Sequence, residues 1–464
     1  MINPPWYKEN DNIWSAISSI IPPLGLASIA SYLELEGHNV KILDMHALKL
    51  SANKLNDYDF SQYDFIAISA TTPLIKNVYK IASLIKQLTL ENTKIILGGV
   101  HPSILPDEAL GNSYIDFVVR GEGEETFKEL LDEVPIPKIA GLSYKDKSSI
   151  IHNPNRPLIE NIDKIPIPAY HLLPMEKYKP AIGAYKQLPG SGIVTSRGCP
   201  GACTFCFNLF GKTLRLHSAQ RVLDEIFLLN KKYGIKEISF YDDTFTASKQ
   251  RVIEICNGLI KNKLEISWSC FARVDFIDKD LLVLMKKAGC HQIMYGIESA
   301  SNEILKNINK KIDLVKVKNA ISWTKESKIE VRAAFMLGNP GETITTINDT
   351  LRFAININPD LAVFNITTPY PGTKLFEWAK EKNYLKTLDW DDYDLAHPVF
   401  ELPTISSTEL KTMYNKVYKK FYLRPSFILK YLFKIKSFYM LKNAILVALT
   451  IFKIDKNNKK SNIK

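Results

Sequence analysis

The first 130 residues alternate between short apolar runs and longer amphipathic stretches. The stretches at 24–36 and 76–88 repeat their apolar positions with helical spacing, and Gly37 follows the first of them, where helices commonly end. The apolar runs have the length of buried strands and lie at 40–43, 65–70, 94–97 and 115–119. Alternation of this kind predicts βαβ units in a doubly wound, Rossmann-like parallel sheet, whose ligands bind at the carboxyl ends of the strands.

The alternation stops between residues 136 and 188, where proline is dense. We interpret this segment as an extended linker with little helix, because proline removes backbone donors and interrupts helices. Its prolines are Pro137, Pro154, Pro157, Pro166, Pro168, Pro174 and Pro180.

A second series of strands and helices begins near Gly192. Six strand-like runs lie at 193–196, 237–241, 266–272, 292–297, 330–337 and 361–367, with helical stretches between them. Six repeats fit a partial (β/α)6 barrel of the TIM type, whose chemistry sits on the loops after the strands. We therefore divide the α/β chain into a first domain (1–135), the linker (136–188), the barrel (189–404) and a helical C-terminal extension (405–464).

Composition adds a restriction on charge. With 46% hydrophobic and 23% charged residues, the chain has an ordinary globular composition. Its net charge of +11 is concentrated at one end, since residues 411–464 contain fourteen Lys or Arg and a single acid, Asp455, while the rest is nearly neutral. The first residues lack the pattern of a secretory signal, so we expect a cytoplasmic protein.

Three of the six cysteines follow the first strand of the second domain. Cys199, Cys203 and Cys206 have the spacing C-x3-C-x2-C, and thiolates suit iron–sulfur centres or zinc. A structural zinc site would need a fourth ligand, and the candidates His217 and His291 stand isolated. Three cysteines instead leave one iron of a 4Fe–4S cluster open. The other cysteines have no mutual spacing, and we expect ordinary buried thiols: Cys256, Cys270 and Cys290.

This cysteine loop resembles the cluster loop of the radical S-adenosylmethionine (SAM) superfamily, including the aromatic Phe205 before the last cysteine. The resemblance implies that Cys199, Cys203 and Cys206 hold a 4Fe–4S cluster whose open iron binds SAM. It also implies reductive cleavage of SAM to a 5′-deoxyadenosyl radical, with electrons from a flavodoxin- or ferredoxin-type protein.

Acidic and basic residues at the ends of the next two strands resemble SAM-binding elements of that superfamily. Asp242 and Asp243 could accept hydrogen bonds from the SAM amine, or Asp243 could cap a helix. Arg273 could pair with the SAM carboxylate, or form a salt bridge at the barrel rim.

Two later strand ends carry further elements of the same resemblance. Glu298 and Ser299, after Gly296, are expected to bond the ribose hydroxyls. Gly338 is expected to let the backbone approach the adenine, although a tight turn before a helix would also explain it.

The first domain resembles the cobalamin-binding domain that precedes many radical SAM barrels. The motifs are Pro22–Leu26, Gly37-His38, Leu43-Asp44, Gly98-Gly99 with His101-Pro102, and Gly121–Glu124. In that family the nucleotide tail of cobalamin enters beside the sheet. A degenerate scaffold, or a site for another nucleotide, stays open as an alternative. The implied cobalamin contacts are Gly25, Asp44, Ser69, Gly98, Gly99, Gly121 and Glu122.

The lower ligand of cobalt is a separate question. Asp44-Met-His46 resembles the start of a D-x-H-x-x-G motif in which the histidine ligates cobalt, but Lys49 stands in place of the glycine. We therefore favour a solvated loop histidine over a ligand.

The basic tail has two interpretations. Phe421–Pro425 resembles a segment of the anaerobic magnesium-protoporphyrin monomethyl ester cyclase group. The apolar run 444–452 is too short to cross a bilayer. The tail could be a basic amphipathic helix on anionic lipid, at the inner face of the membrane, or a helical cap on the barrel. Nucleic acid is an unfavoured partner, because no recognised binding module accompanies the charge.

The resemblance as a whole implies a radical SAM enzyme that acts on a small molecule. Our first hypothesis is a cobalamin-dependent methyltransferase acting on an unactivated carbon. The alternatives are an oxidative cyclase acting on a tetrapyrrole-like or lipid substrate, and a cobalamin or redox sensor that does not turn over.

Overall fold

The first domain is built on a seven-stranded sheet. The computed structural model describes residues 1–6, 19–89 and 93–433. The strands are β1 (Ile2–Asn3), β2 (Leu43–Asp44), β3 (Phe65–Ser69), β4 (Lys94–Gly98), β5 (Phe117–Val119), β6 (Leu142–Asp146) and β7 (Ser149–His152). Their order is β2-β1-β3-β4-β5-β6-β7, in which the first five are parallel and the last two antiparallel.

Helices cover both faces of this sheet. They are α1 (Leu24–Leu35), α2 (Ile75–Leu88), α3 (Val100–Ile104), α4 (Pro106–Gly111) and α5 (Glu124–Leu131). Side chains of β4 alternate between two apolar layers. Ile96 packs in the layer of Phe127 from α5, whereas Ile95 and Leu97 pack in the layer of Ile81 from α2. This arrangement confirms the predicted doubly wound α/β domain.

Two parts of the sheet differ from the sequence prediction. β1 has only two residues, too few to give an apolar periodicity, yet it pairs with both β2 and β3. The proline-rich segment is more than an extended linker, because β6 and β7 form a hairpin at the sheet edge. Its prolines flank the hairpin and do not interrupt it, which is where strands tolerate them.

The second domain is an open barrel of parallel strands. The barrel strands are β8 (Gly190–Ile193), β11 (Glu237–Phe240), β12 (Ser267–Ala272), β13 (Cys290–Glu298), β14 (Glu330–Leu337) and β15 (Leu361–Ile366), paired in that order. A small antiparallel ribbon, β9 (Ser196–Arg197) and β10 (Arg215–Leu216), brackets the cysteine loop. The predicted partial (β/α)6 barrel is confirmed.

Helices surround the barrel on its outer side. They are α6 (Ala219–Tyr233), α7 (Lys249–Lys261), α8 (Lys279–Lys287), α9 (Asn302–Asn307), α10 (Leu314–Glu326) and α11 (Ile344–Ile357). Alternate strand residues are buried against these helices, as Val331, Ala333 and Phe335 are on β14. Arg332 and the other intervening residues therefore face the lumen of the barrel.

The chain continues through α12 (Lys374–Glu381), α13 (Ser407–Tyr422) and α14 (Pro425–Leu432). α13 covers the free edge of β15. The Tyr418 hydroxyl accepts a hydrogen bond from the Phe364 amide (3.1 Å) and donates to its carbonyl (3.0 Å), and Tyr422 bonds Ala362 in the same way. Four residues along a helix match two along a strand, so two tyrosines satisfy an edge that would otherwise pair with another chain.

The described part of the extension is thus a helical cap. Within that part, the helices are all too short or too polar to span a bilayer. The suggested lipid-binding run at 444–452 lies outside the described residues.

Candidate active site

The cysteine loop begins where β8 ends and is held on both sides. Gly198 has φ +88°, and a Cβ there would overlap the Thr213 carbonyl, so the turn before Cys199 requires glycine. The Cys199 amide donates to the Gly211 carbonyl (3.3 Å), and the Asn208 side chain donates to the Cys199 carbonyl (3.1 Å). The backbone around the first cysteine is therefore fixed by local structure.

All six cysteines are free thiols, and the three in the loop are the more accessible ones. Partial desolvation within the loop, reinforced by Cys203 and Asp243, raises the pKa of Cys206 to about 11. Burial also raises the pKa of Cys203, although Lys310 and Arg273 oppose it. Thiols that repel one another as anions suit a positively charged iron centre, which takes over the role of their protons.

A site for one metal ion is a different arrangement. Among the described residues, no three His, Cys, Asp or Glu side chains converge on a single ion. His217 instead pairs with Asp163 (3.0 Å), and His291 with Glu237 (2.7 Å).

Asp242 and Asp243 follow β11 but have different environments. Asp242 is fully buried, and its carboxylate accepts hydrogen bonds from the Thr195 amide and hydroxyl (both 2.5 Å) and pairs with Arg251 (3.2 Å). It anchors the end of β8 before the cysteine loop, so its expected role toward the SAM amine passes to Asp243. Asp243 is exposed near Cys206.

Arg273 lies close to the cysteine loop, since its guanidinium is 3.9 Å from where a Cβ on Gly201 would be. One of its nitrogens donates to Asp275 (2.6 Å) and to the Lys311 carbonyl (3.0 Å). It forms the rim salt bridge that the sequence left as an alternative. Its electrostatic effect on Cys203 still places its charge beside the loop.

Glu298 and Lys310 form a buried ion pair beneath the cysteine loop (2.9 Å). Glu298 has φ +67° at a register shift between β13 and β14, and Gly296 leaves the space into which its carboxylate folds back. Burial alone would lower the pKa of Lys310, but Glu298 and the Cys203 thiol raise it. Sequence reasoning missed Lys310, because a lysine in a run of polar residues is normally solvated.

Two other expected SAM contacts have structural duties. Ser299 is fully buried, with its hydroxyl 3.4 Å from that of Thr350 and accepting from the Ser301 amide (3.2 Å). The Gly338 amide donates to the buried Glu342 carboxylate (2.7 Å), which closes the turn after β14. Burial raises the pKa of Glu342 to about 7, against the bonds from Asn339 and Gly338, and its second oxygen has no partner in the described residues.

A cavity of about 210 Å³ lies at the carboxyl ends of β3 and β4. Gly99 has φ +101°, and a Cβ there would come within 2.7 Å of the Ala70 carbonyl. Most of the wall is glycine, apolar side chain or small polar residue, and Arg197, Leu209 and Phe210 of the barrel close it. Six of the seven expected cobalamin contacts line this cavity: Gly25, Ser69, Gly98, Gly99, Gly121 and Glu122.

Glu122 and Glu124 join the two domains beside this cavity. Arg197 donates to Glu122 (2.8 Å) and to Glu124 (2.5 Å), and Arg215 donates to Glu122 (2.9 Å). Burial alone would raise the pKa of Glu122, but the hydrogen bonds from Arg215 and Arg197 lower it. Arg197 stands two residues before Cys199, so the first domain holds the base of the cysteine loop directly.

Asp44 and His46 lie apart from the cavity. The buried Asp44 carboxylate accepts from Asn3 (2.8 Å), Ala47 (3.0 Å) and Tyr178 (2.7 Å), which makes it a structural residue. The ring of His46 accepts from the Trp6 amide (3.1 Å). Lys49 adopts φ +54°, so the loop keeps the left-handed turn that the motif's glycine would supply.

Known proteins resemble this chain in both domains. The pattern of the radical SAM superfamily matches residues 193–354, and that of the B12 binding domain matches residues 13–131. An uncharacterized methyltransferase of Pyrococcus horikoshii is 40% identical over 453 residues, covering 94% of this chain and 96% of the relative. The anaerobic magnesium-protoporphyrin IX monomethyl ester cyclase of Rubrivivax gelatinosus is 29% identical over 421 residues, covering 88% and 75%.

A solved structure supports the fold over the whole chain. The cobalamin-dependent SAM radical enzyme OxsB, with aqua-cobalamin and SAM bound, has a TM-score of 0.74 at 19% identity, covering 97% of this chain and 71% of that chain.

Proposed function

This chain belongs to the family of radical SAM enzymes that carry a B12 binding domain, and we propose that it is a cobalamin-dependent methyltransferase. One observation carries the proposal. The cavity of the first domain is closed by Arg197, Leu209 and Phe210, which flank the cysteine loop on both sides. A cobalamin in that cavity would therefore share a wall with the cluster, as transfer of a methyl group to a radical carbon requires.

The residues of the barrel mouth divide the work of holding the cluster and SAM. Cys199, Cys203 and Cys206 would hold the cluster, with Phe205 beside them. Among the described residues, no hydrogen bond ties the carboxylate of Asp243, so it is free to accept from the SAM amine. The cations Lys310 and Arg273 lie on the same side of the loop and would face the SAM carboxylate.

When bound, the cluster supplies the electron that cleaves SAM, and cobalamin supplies the methyl group. The chain's own contribution is position and shielding. The buried Asp242–Arg251 pair fixes the end of β8, and the bonds from Glu122 and Glu124 to Arg197 fix the start of the loop. Both keep the thiols of the loop at a set place relative to the cavity.

The cyclase of Rubrivivax gelatinosus favours a second candidate function, because it matches 88% of this chain. Phe421–Pro425, which resembles a segment of that group, joins α13 to α14. Arg424 stacks over the Phe421 ring (4.0 Å) and bonds Asn358. An oxidative cyclase would use the same cluster and SAM residues.

Products of SAM separate these functions. The full chain, reconstituted anaerobically with iron, sulfide and hydroxocobalamin, would be incubated with SAM and a flavodoxin or dithionite as reductant. A methyltransferase yields S-adenosylhomocysteine, up to about one per bound cobalamin without further substrate, in addition to 5′-deoxyadenosine. A cyclase yields 5′-deoxyadenosine alone, and a sensor yields neither product. Absence of S-adenosylhomocysteine from cobalamin-loaded protein would contradict the methyltransferase.

Peripheral membrane contact through the basic residues 411–464 is a further part of the proposal. Several Lys→Glu changes in that segment should weaken pelleting with anionic liposomes, at about 1 kcal/mol per lysine. Unchanged pelleting would contradict it.

A further inference from the structure

Arg332 stands in the middle of the barrel lumen. It lies on β14 between Val331 and Ala333, which are buried against the helices, so its side chain is directed into the barrel. Its register partners are Met294 on β13 and Leu361 on β15. The next lumen-facing position toward the mouth is Ala334, opposite Gly296, so Arg332 lies one layer below the presumed SAM-binding residues.

This guanidinium lacks any partner. Its Nε is buried without a hydrogen bond, and no carboxylate of the described residues lies within ion-pair distance. The other deeply buried arginines differ, since Arg197, Arg215 and Arg251 each pair with an acid. Leaving a buried cation unpaired costs several kcal/mol, so an anion that reaches it gains most of its binding energy there.

The surroundings of Arg332 are polar on one side and apolar on the other. The Tyr241 phenol interacts electrostatically with it, and the Tyr241 ring fills the lumen over Gly192. Phe271 and Met294 face the lumen in the same layer. Asn365, nearer the mouth, also has a buried carbonyl oxygen without a partner in the described chain. The lumen thus offers one cation, a phenol, an amide and an apolar wall.

We propose that the substrate carries a carboxylate or phosphate group that binds Arg332, with an apolar body that extends toward the barrel mouth. The planar fork of an arginine matches both anions in a bidentate manner. Anchoring at this depth would point the far end of the substrate at the layer of Gly296 and the cysteine loop. This inference rests on the proposed function, because it assumes that the substrate enters the barrel.

Simple anions can test the site without the substrate. The unfolding midpoint of the full chain would be measured at constant ionic strength in chloride, propionate or inorganic phosphate. Four proteins would be compared: the wild type, Arg332→Gln, Arg332→Lys, and the control Arg352→Gln, whose arginine lies exposed on α11. Propionate or phosphate should raise the midpoint of the wild type and the control equally, less in Arg332→Lys, and not in Arg332→Gln.

The two anions distinguish a carboxylate substrate from a phosphorylated one. Equal shifts in all four proteins, or no shift with either anion, would overturn the proposal. The dissociation constant of SAM should stay within about twofold in Arg332→Gln, and a weakening of about tenfold or more would assign the guanidinium to SAM and overturn it as well. Failure of the wild type to form 5′-deoxyadenosine would instead count against the proposed function.

Discussion

The cavity of the first domain and the mouth of the barrel are built from different groups. Around the cavity, glycines and apolar side chains form the wall, and the acids Glu122 and Glu124 turn away to bind arginines of the barrel. At the mouth, charged side chains cluster around the thiols, but Asp242 and Glu342 serve the backbone while Asp243 stays available. A carboxylate near a cofactor site is therefore a ligand only where the fold leaves it unpaired.

The largest effect should come from the loop itself. Cys203→Ala removes one of three thiolates, and we expect iron to fall below the content of a 4Fe–4S cluster and 5′-deoxyadenosine to fall to background. Cys256→Ala is the control, because Cys256 is buried in the barrel core away from the loop. Iron analysis and product detection would follow both variants. Equal loss of iron in both would show that the loop is not the cluster site.

The two neighbouring aspartates give a matched pair. Asp242→Asn leaves Arg251 buried without its partner and should cost about 3–5 kcal/mol of stability. Asp243→Asn should change stability by less than about 0.5 kcal/mol but weaken SAM binding by about tenfold, through loss of one charge-assisted hydrogen bond. Denaturant titration and equilibrium dialysis measure the two effects. If Asp243→Asn unfolds the chain while Asp242→Asn weakens only SAM binding, the assignment is reversed.

Glu342 should make stability depend on pH at the mouth. Its pKa is raised from 4.5 to about 7 by burial, so the folded state favours the protonated form. Its stabilising contribution is complete below pH 4.5 and is lost as the pH rises through about 7, by a total on the order of 3 kcal/mol. Glu342→Gln cannot ionise and should flatten this part of the profile. Identical pH profiles of unfolding in both proteins would contradict a raised pKa.

The smallest effect should come from the cavity wall. Gly25 lies on α1, and a Cβ there meets nothing within 4 Å. Gly25→Ala should therefore stabilise the chain by about 0.5–1 kcal/mol while its methyl group projects into the cavity and lowers cobalamin retention. Gly111→Ala on α4 is equally unobstructed but lies away from the cavity, so it should keep cobalamin. Equal retention in both variants would place cobalamin elsewhere.

Patterns along the chain were enough to predict the repeating elements and the cofactors. The six barrel strands and the C-x3-C-x2-C loop have strong local signals, and glycines such as Gly99 report a backbone requirement that is independent of their neighbours. The roles of charged residues were harder to predict. Glu122, Asp44 and Asp242 have partners 40 or more residues away in sequence, and Lys310 is buried only because Glu298 receives it.

Metal content after anaerobic reconstitution tests the central claim most directly, namely that cluster and cobalamin occupy adjacent sites in one chain. The full chain would be loaded with iron, sulfide and hydroxocobalamin, desalted and assayed for both metals. We expect about four irons and one cobalt per chain. Four irons without cobalt would contradict the methyltransferase, and absence of iron would contradict a radical SAM enzyme.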